Sequence, residues 1–317
     1  MKKITYSLLI ALFGLLAFSP ANEEEIPKTI AELGEKLFFD SILSRDYSIS
    51  CASCHIPEFA FADNEALSPG VDGKLGNRNT PSAMNMLSRS SFFWDGRAST
   101  LEEQALGPIE NPVEMDLPIP QAIERLSKNA FYKKTFAILF DEGITANTLA
   151  KAIATFERTL EGAATPFDKW MGGDESAISE SAKRGHKIFL GKAMCFECHF
   201  GLDFTPDEFR NIGLYNGKNL NDQGRFDVTK DSSDLGKFKT PGLRNIALTA
   251  PYMHDGSFAT LREVIEYYND PDSFMHGSVN RDTLIRKLFL TKEEMGDLEV
   301  FLNSLTETKS IQRFLKR

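Results

Sequence analysis

A five-residue pattern written twice constrains this chain more than anything else in it: Cys51-Ala52-Ser53-Cys54-His55 and Cys195-Phe196-Glu197-Cys198-His199. C-x-x-C-H is the attachment pattern of c-type haem. Its two thiols reach the two vinyl groups of one porphyrin, and the adjoining His offers its imidazole to the iron as proximal ligand. The two copies use all four cysteines of the chain and leave none for a disulfide. A CxxC redox pair and a Cys/His zinc site are the competing uses of such residues. Two complete pentapeptides are more than four Cys and five His supply by chance, so the expected cofactors are two covalently bound haem c groups.

The motifs also mark an internal repeat. Leu33-Gly34-Glu35-Lys36-Leu37-Phe38-Phe39 precedes the first, and Arg184-Gly185-His186-Lys187-Ile188-Phe189 precedes the second at a shorter distance. A length of 317 residues suits two domains of ordinary size, one per haem. Between the motifs, Leu149, Ile153, Phe156 and Leu160 share one helical face. Gly162, Pro166 and Gly172-Gly173 then break the pattern and place a linker near 161–178. Thr291-Lys292-Glu293-Glu294 reads as a capping box that opens a helix with Leu298, Phe301, Leu302 and Leu305 on one face. No alternating strand pattern stands out. The expected fold is mainly α, two cytochrome c-like haem domains in tandem over 22–165 and 166–317.

Residues 1–21 read as an export leader: Lys2 and Lys3, an apolar stretch from Ile4 to Phe18, then Ser19-Pro20-Ala21 with cleavage after Ala21. A membrane anchor is the alternative, but the stretch is shorter than the roughly 20 residues a span needs and runs into Glu23-Glu24-Glu25. No later run is apolar enough to span a bilayer, so the expected location is the periplasm. The net charge of −9, with no basic run after Lys2-Lys3, excludes a nucleic-acid binder.

Three loops carry a resemblance. Phe93-Trp94-Asp95-Gly96-Arg97, Gly107-Pro108-Ile109-Glu110-Asn111-Pro112-Val113-Glu114-Met115 and Ala250-Pro251-Tyr252-Met253-His254-Asp255-Gly256, together with the two haem motifs in this order, resemble the bacterial dihaem cytochrome c peroxidases, the family that includes MauG. The resemblance implies that hydrogen peroxide reacts at the N-terminal haem while the C-terminal haem transfers electrons. It assigns Glu114 as the acid/base group, Gln104 as a polar neighbour in that pocket, and Trp94 as the aromatic between the haems. It further implies a calcium ion held by Asn79 with the backbone of Thr249 and Pro251, and places His254 close to the haems.

The residues themselves refine that assignment. Peroxide needs an iron with a free face. No histidine lies between His55 and His186, and the loop 68–79, where many members of the family carry a distal His, supplies none. The N-terminal haem is therefore expected to be open, with Met84, Met86, Met115 and Met171 as the alternative ligands. Glu110 rivals Glu114 for the proton-moving role, and Trp170 lacks any motif around it. In the common peroxidases a Met stands fourteen residues after the His of the Pro-Tyr-x-His-Asp-Gly motif; here that position is Tyr268. Leu261, Val264, Ile265 and Tyr268 share a helical face, which turns Tyr268 inward as a candidate ligand of the second haem. The alternative is that Tyr267 or Tyr268 only packs and Met275 or Met253 binds the iron. His186 and His276 read as surface or packing residues.

The expectation is a periplasmic dihaem c-type peroxidase that draws electrons from a small cytochrome c or copper protein. One alternative is a MauG-like oxidase that modifies aromatic residues of a partner protein through a high-valent bis-haem state. The other is a dihaem electron carrier without catalysis.

Overall fold

The computed structural model describes residues 25–307 and 309–315, so the leader assigned to 1–21 lies outside the described residues. The first half carries α1 (Ile30–Phe39), α2 (Leu101–Glu110), α3 (Ile119–Lys128), α4 (Ala130–Leu139) and α5 (Ala146–Glu157). The second carries α6 (Pro166–Met171), α7 (Glu180–Leu190), α8 (Phe226–Thr229), α9 (Leu261–Asn269), α10 (Pro271–Phe274) and α11 (Lys292–Asn303). Among the described residues sheet is limited to β1 (Phe209–Arg210) and β2 (Phe238–Lys239), antiparallel with Phe209 opposite Lys239. Long loops fill the rest, and among the described residues no helix is long and apolar enough to cross a membrane.

The helices begin where their caps dictate. Thr29, Thr145, Thr260 and Thr291 each accept a backbone N–H at their helix N-termini within a capping box. The segment read as a linker is partly folded: Thr165 caps α6, which seats Phe167 against Phe204 and Phe301 of the second core.

Each half is built on one close helix crossing. α1 crosses α5 and α7 crosses α11, and both crossings occur at a glycine. A Cβ on Gly34 would lie 1.9 Å from the carbonyl oxygen of Ala152 and 2.8 Å from Cβ of Phe156. A Cβ on Gly185 would lie 2.0 Å from the carbonyl oxygen of Asp297 and 2.7 Å from Cβ of Phe301. The repeat seen in the sequence is thus a repeat of packing, with Phe156 and Phe301 in matching places.

Two cores result. The first gathers Leu33, Leu37, Phe38, Phe61, Ile109, Phe136, Leu149 and Phe156. The second gathers Phe189, Leu214, Ile265, Tyr267, Leu298, Phe301 and Leu305. The C-terminal tail departs from the 166–317 assignment, because Ile311 and Phe314 are buried in the first core. Phe314 stacks on Phe39 at 5.9 Å and meets Phe61 edge-on at 5.1 Å, tying the chain end to the opposite half.

The crossings set a clear expectation. Gly34→Ala and Gly185→Ala should each destabilise the protein by about 3 kcal/mol, since carbonyl backbone cannot yield as a side chain does. Gly76→Ala, at a position where a Cβ meets nothing within 4 Å, should stay within about 0.5 kcal/mol of wild type. Denaturant midpoints compare the three.

Candidate haem centres

Both CxxCH motifs form single 3₁₀ turns, over Cys51–Ser53 and Cys195–Glu197. The turn brings the two thiols of each pair to one side, and the His follows directly. His55 Nδ1 donates to the carbonyl of Phe61 at 2.9 Å, and His199 Nδ1 donates to the carbonyl of Phe204 at 3.0 Å. A carbonyl only accepts, so the proton sits on Nδ1 and the Nε2 lone pair is left for a metal. Burial lowers both imidazole pKa values and favours the neutral form a ligand requires.

The thiols are equally informative. All four are free, and burial pushes Cys54 up to about 11 and Cys195 up to about 12, with Cys51 and Cys198 shifted the same way. A redox CxxC pair or a zinc site needs easily formed thiolate. Among the described residues no three His, Cys, Asp or Glu side chains converge as a metal-binding group. Instead both motifs face one continuous cavity that spans the two halves, with Ile153, Leu298 and Leu302 among its apolar walls. Paired neutral thiols beside an oriented imidazole in an apolar cavity fit covalently bound haem at each motif.

The two halves differ at one matching cavity position. Matching strand bridges, Phe92 with Ala98 and Tyr252 with Phe258, lead into Thr100 and Thr260, which cap α2 and α9. Counted from those caps, Pro108 in α2 occupies the place of Tyr268 in α9, and both line the cavity. Proline has no ligand atom; tyrosine has a phenol. Leu261, Val264 and Ile265 line the cavity with Tyr268, as the helical spacing predicts. Tyr267 is fully buried, with its hydroxyl donating to the Ile212 carbonyl, and packs. Met275 packs against the second core and does not line the cavity, whereas Met253 does. Of the other methionines, Met84, Met86 and Met115 line the cavity and Met171 is exposed on the surface.

Beside Pro108 stand Glu114 and Gln104, which line the same cavity. Asn111 Nδ2 donates to Glu114 Oε1 at 2.7 Å; burial raises the carboxyl pKa, with Asn111 and the charge of Arg97 opposing. Glu110 is exposed at the end of α2, where its carboxylate accepts the backbone N–H of Ile119. It stands apart from the cavity.

Trp94 lies where the halves meet. Its indole N–H donates to the Asn79 carbonyl at 2.8 Å, and its own carbonyl accepts the N–H of Lys239 from the second half at 2.7 Å. Asn79 is buried, donates its side-chain amide to the carbonyls of Glu65 and Ala66 and its N–H to the His254 carbonyl, and lines the cavity with Thr249 and Pro251. His254 is buried and stacks on Phe238 at 3.7 Å. Arg78 ties the seam together, reaching Asp95 at 2.5 Å and Asp222 through two hydrogen bonds of 2.8 Å. Trp170 packs on His186 and Phe167 away from the cavity, and its indole donates to Glu175.

Sequence reasoning missed two features. Arg89, Lys239, Arg210 and Arg244 line the cavity as cations with no motif to announce them. Lys239 is largely withdrawn from solvent beside Asp207, and this desolvation brings its pKa down to about 8. Glu157, at the end of α5, is buried against the cavity without a polar partner; the repeat, aligned at Phe156 and Phe301, was the signal that singles it out.

Two cytochrome c-like domains that share one cavity, each with an oriented His beside paired thiols, define a tandem c-type haem protein. A family model described as di-haem cytochrome c peroxidase matches residues 28–176. The chain is 39% identical over 280 residues to the methylamine utilization protein MauG of Methylophilus methylotrophus, covering 87% of this chain and 82% of that protein. It is 35% identical over 320 residues to the cytochrome c551 peroxidase of Nitrosomonas europaea, covering 96% and 92%. A solved MauG-like protein associated with microbial copper homeostasis superposes with a TM-score of 0.82 at 34% identity, covering 90% and 92%. The chain belongs to the di-haem cytochrome c peroxidase and MauG family.

The seam carries a pH expectation. Arg78 holds Asp222 below the usual carboxylate pKa, so this pair stabilises the fold above the unfolded value near 3.8 and its contribution fades as pH falls through the folded value. Asp222→Asn should cost about 1–3 kcal/mol at pH 7 and flatten the acid limb of the stability profile, read by denaturant unfolding at pH 3 to 7.

Proposed function

We propose that the protein reduces hydrogen peroxide at the haem held by Cys51, Cys54 and His55, with electrons delivered through the haem held by Cys195, Cys198 and His199. Hydrogen peroxide takes two electrons and two protons and leaves as two waters. The observation that carries this reading is the asymmetry across one cavity: Pro108, with Glu114 and Gln104 beside it, on one side, and Tyr268 on the other. When bound, haem supplies the redox-active iron and a macrocycle that stores charge.

The chain's own residues do the rest. Pro108 has no ligand atom to offer a haem bound by Cys51, Cys54 and His55, and its apolar ring would exclude water from that part of the cavity. Glu114 takes a proton from one peroxide oxygen and returns it to the other, and burial, which raises its pKa, makes the carboxyl readier to hold that proton between the two steps. Asn111 fixes its direction, and Gln104 offers a polar contact across the pocket. Trp94, clamped between Asn79 and Lys239, sets an oxidisable indole between the two centres. The cations Arg89, Lys239, Arg210 and Arg244 suit the propionates of two haems. Tyr268 is the ligand we assign to the second iron; a phenolate lowers its potential.

That ligand favours a second reading, in which a MauG-like enzyme oxidises aromatic residues of a partner protein. In the first reading the electron donor is a small periplasmic cytochrome c or copper protein. Export through the leader 1–21 and a calcium ion at Asn79, Thr249 and Pro251 belong to the same proposal. Asn79 supports the ion because its side-chain N–H groups are committed to Glu65 and Ala66, turning the oxygen elsewhere.

Glu114→Gln should keep the absorption spectrum of both haems while peroxide turnover falls about 10²- to 10⁴-fold; unchanged turnover moves the role to another group. Peroxide titration of the diferric protein separates the two readings. Reaction without prior reduction supports the MauG-like course, and a requirement for one-electron priming supports the common peroxidase.

A further inference from the structure

We propose that Glu157 is the proton-holding residue of the first haem site: its carboxylate binds one proton when that haem gains an electron and releases it when the electron leaves. This rests on the haem assignment above and adds a residue to it. The step balances as one electron from a one-electron reductant and one proton from solvent, taken up together, with no bond made or broken other than the carboxyl O–H.

The repeat identifies the residue. Gly34 packs on Ala152 and Phe156 as Gly185 packs on Asp297 and Phe301, so the next residue along each helix, Glu157 in α5 and Leu302 in α11, occupies the same place. Both line the haem cavity. The second site therefore has an ordinary apolar wall where the first has a carboxyl.

Glu157 as a residue is 6% exposed, and no hydrogen bond to its carboxyl forms among the described residues. Arg158, its neighbour in sequence, is committed to Glu102 of α2 by two hydrogen bonds of 2.7 and 2.8 Å. Cys51 lies near enough to interact with Glu157 electrostatically, and its thiol is consumed by haem attachment. Elsewhere in the cavity stand Glu114, tied to Asn111 and facing Arg97, and the cations Arg78, Arg89, Arg210, Lys239 and Arg244, several of them paired with Asp95, Asp222, Asp203, Asp282 and Asp168. A buried carboxyl without a hydrogen bond resists ionisation, because the charged form loses its hydration; the charge of Arg158 opposes this and that of Glu102 adds to it. Burial pushes Glu157 up to about 8, so both protonation states are accessible near neutral pH. An electron added to the haem nearby makes the cavity more negative and draws the proton in.

Spectroelectrochemical titration of the purified diferric holoprotein from pH 6 to 9 tests this. The potential of the first haem should fall with rising pH by up to 59 mV per unit, the tenfold change in equilibrium per pH unit that one proton per electron requires. The second haem, beside Leu302, should show a weaker dependence. Glu157→Leu, which copies the second site, and Glu157→Gln should both remove the extra slope; a slope equal to wild type in either variant overturns the proposal. Redox-difference infrared spectra of the wild type give a readout that needs no variant. A protonated-carboxyl band that grows on reduction of the first haem supports the role, and its absence overturns it. Peroxide turnover by the same preparation tests the underlying reading separately. Turnover with a pH-independent potential overturns the role of Glu157 and leaves that reading standing.

Discussion

The bond from each His Nδ1 to a backbone carbonyl orders everything else in this molecule. It fixes the tautomer and leaves the Nε2 lone pair for a metal in the cavity that each CxxCH turn lines. The carbonyls belong to Phe61 and Phe204, which are themselves buried in the two cores, so the orientation of each imidazole is held by packing. Those cores in turn rest on the α1–α5 and α7–α11 crossings, which close only because Gly34 and Gly185 lack a Cβ. Helix contact, core, carbonyl and ligand form one chain of dependence, built twice.

Duplication makes the differences meaningful. The halves match in their caps, strand bridges and crossings and diverge at three cavity positions: Pro108 against Tyr268, Trp94 against His254, and Glu157 against Leu302. In each pair one half carries a group able to ligate, relay or hold a proton where the other carries a different one. On the proposed function, the same scaffold supports one site suited to react and one suited to pass electrons. The seam between them is polar and buried. Arg78 bridges Asp95 and Asp222, and the tail residue Phe314 returns to the first core, so the halves are locked at both the cavity and the chain end.

What the sequence revealed follows from how local each signal is. The haem motifs, the capping box at Thr291 and the face shared by Leu261, Val264, Ile265 and Tyr268 are short-range patterns, and the structure carries all of them. Tyr267 and Tyr268 are neighbours in sequence, and helical periodicity alone turns the second toward the cavity. Glu110 and Glu114 resisted separation because a helix end decides between them: α2 stops at Glu110 and leaves it in solvent, while the turn that follows carries Glu114 inward. Glu157, the cavity cations and the fold-back of Ile311 and Phe314 depend on which distant segments meet, and no window of the sequence contains that information.

The central claim is that one scaffold holds an open haem and a closed haem. Electron paramagnetic resonance of the diferric protein, joined to near-infrared magnetic circular dichroism, measures this directly. One high-spin ferric haem, from the site with Pro108, and one low-spin haem without a methionine charge-transfer band, from the site with Tyr268, are expected. Two low-spin haems, or a methionine band on the second, would contradict it.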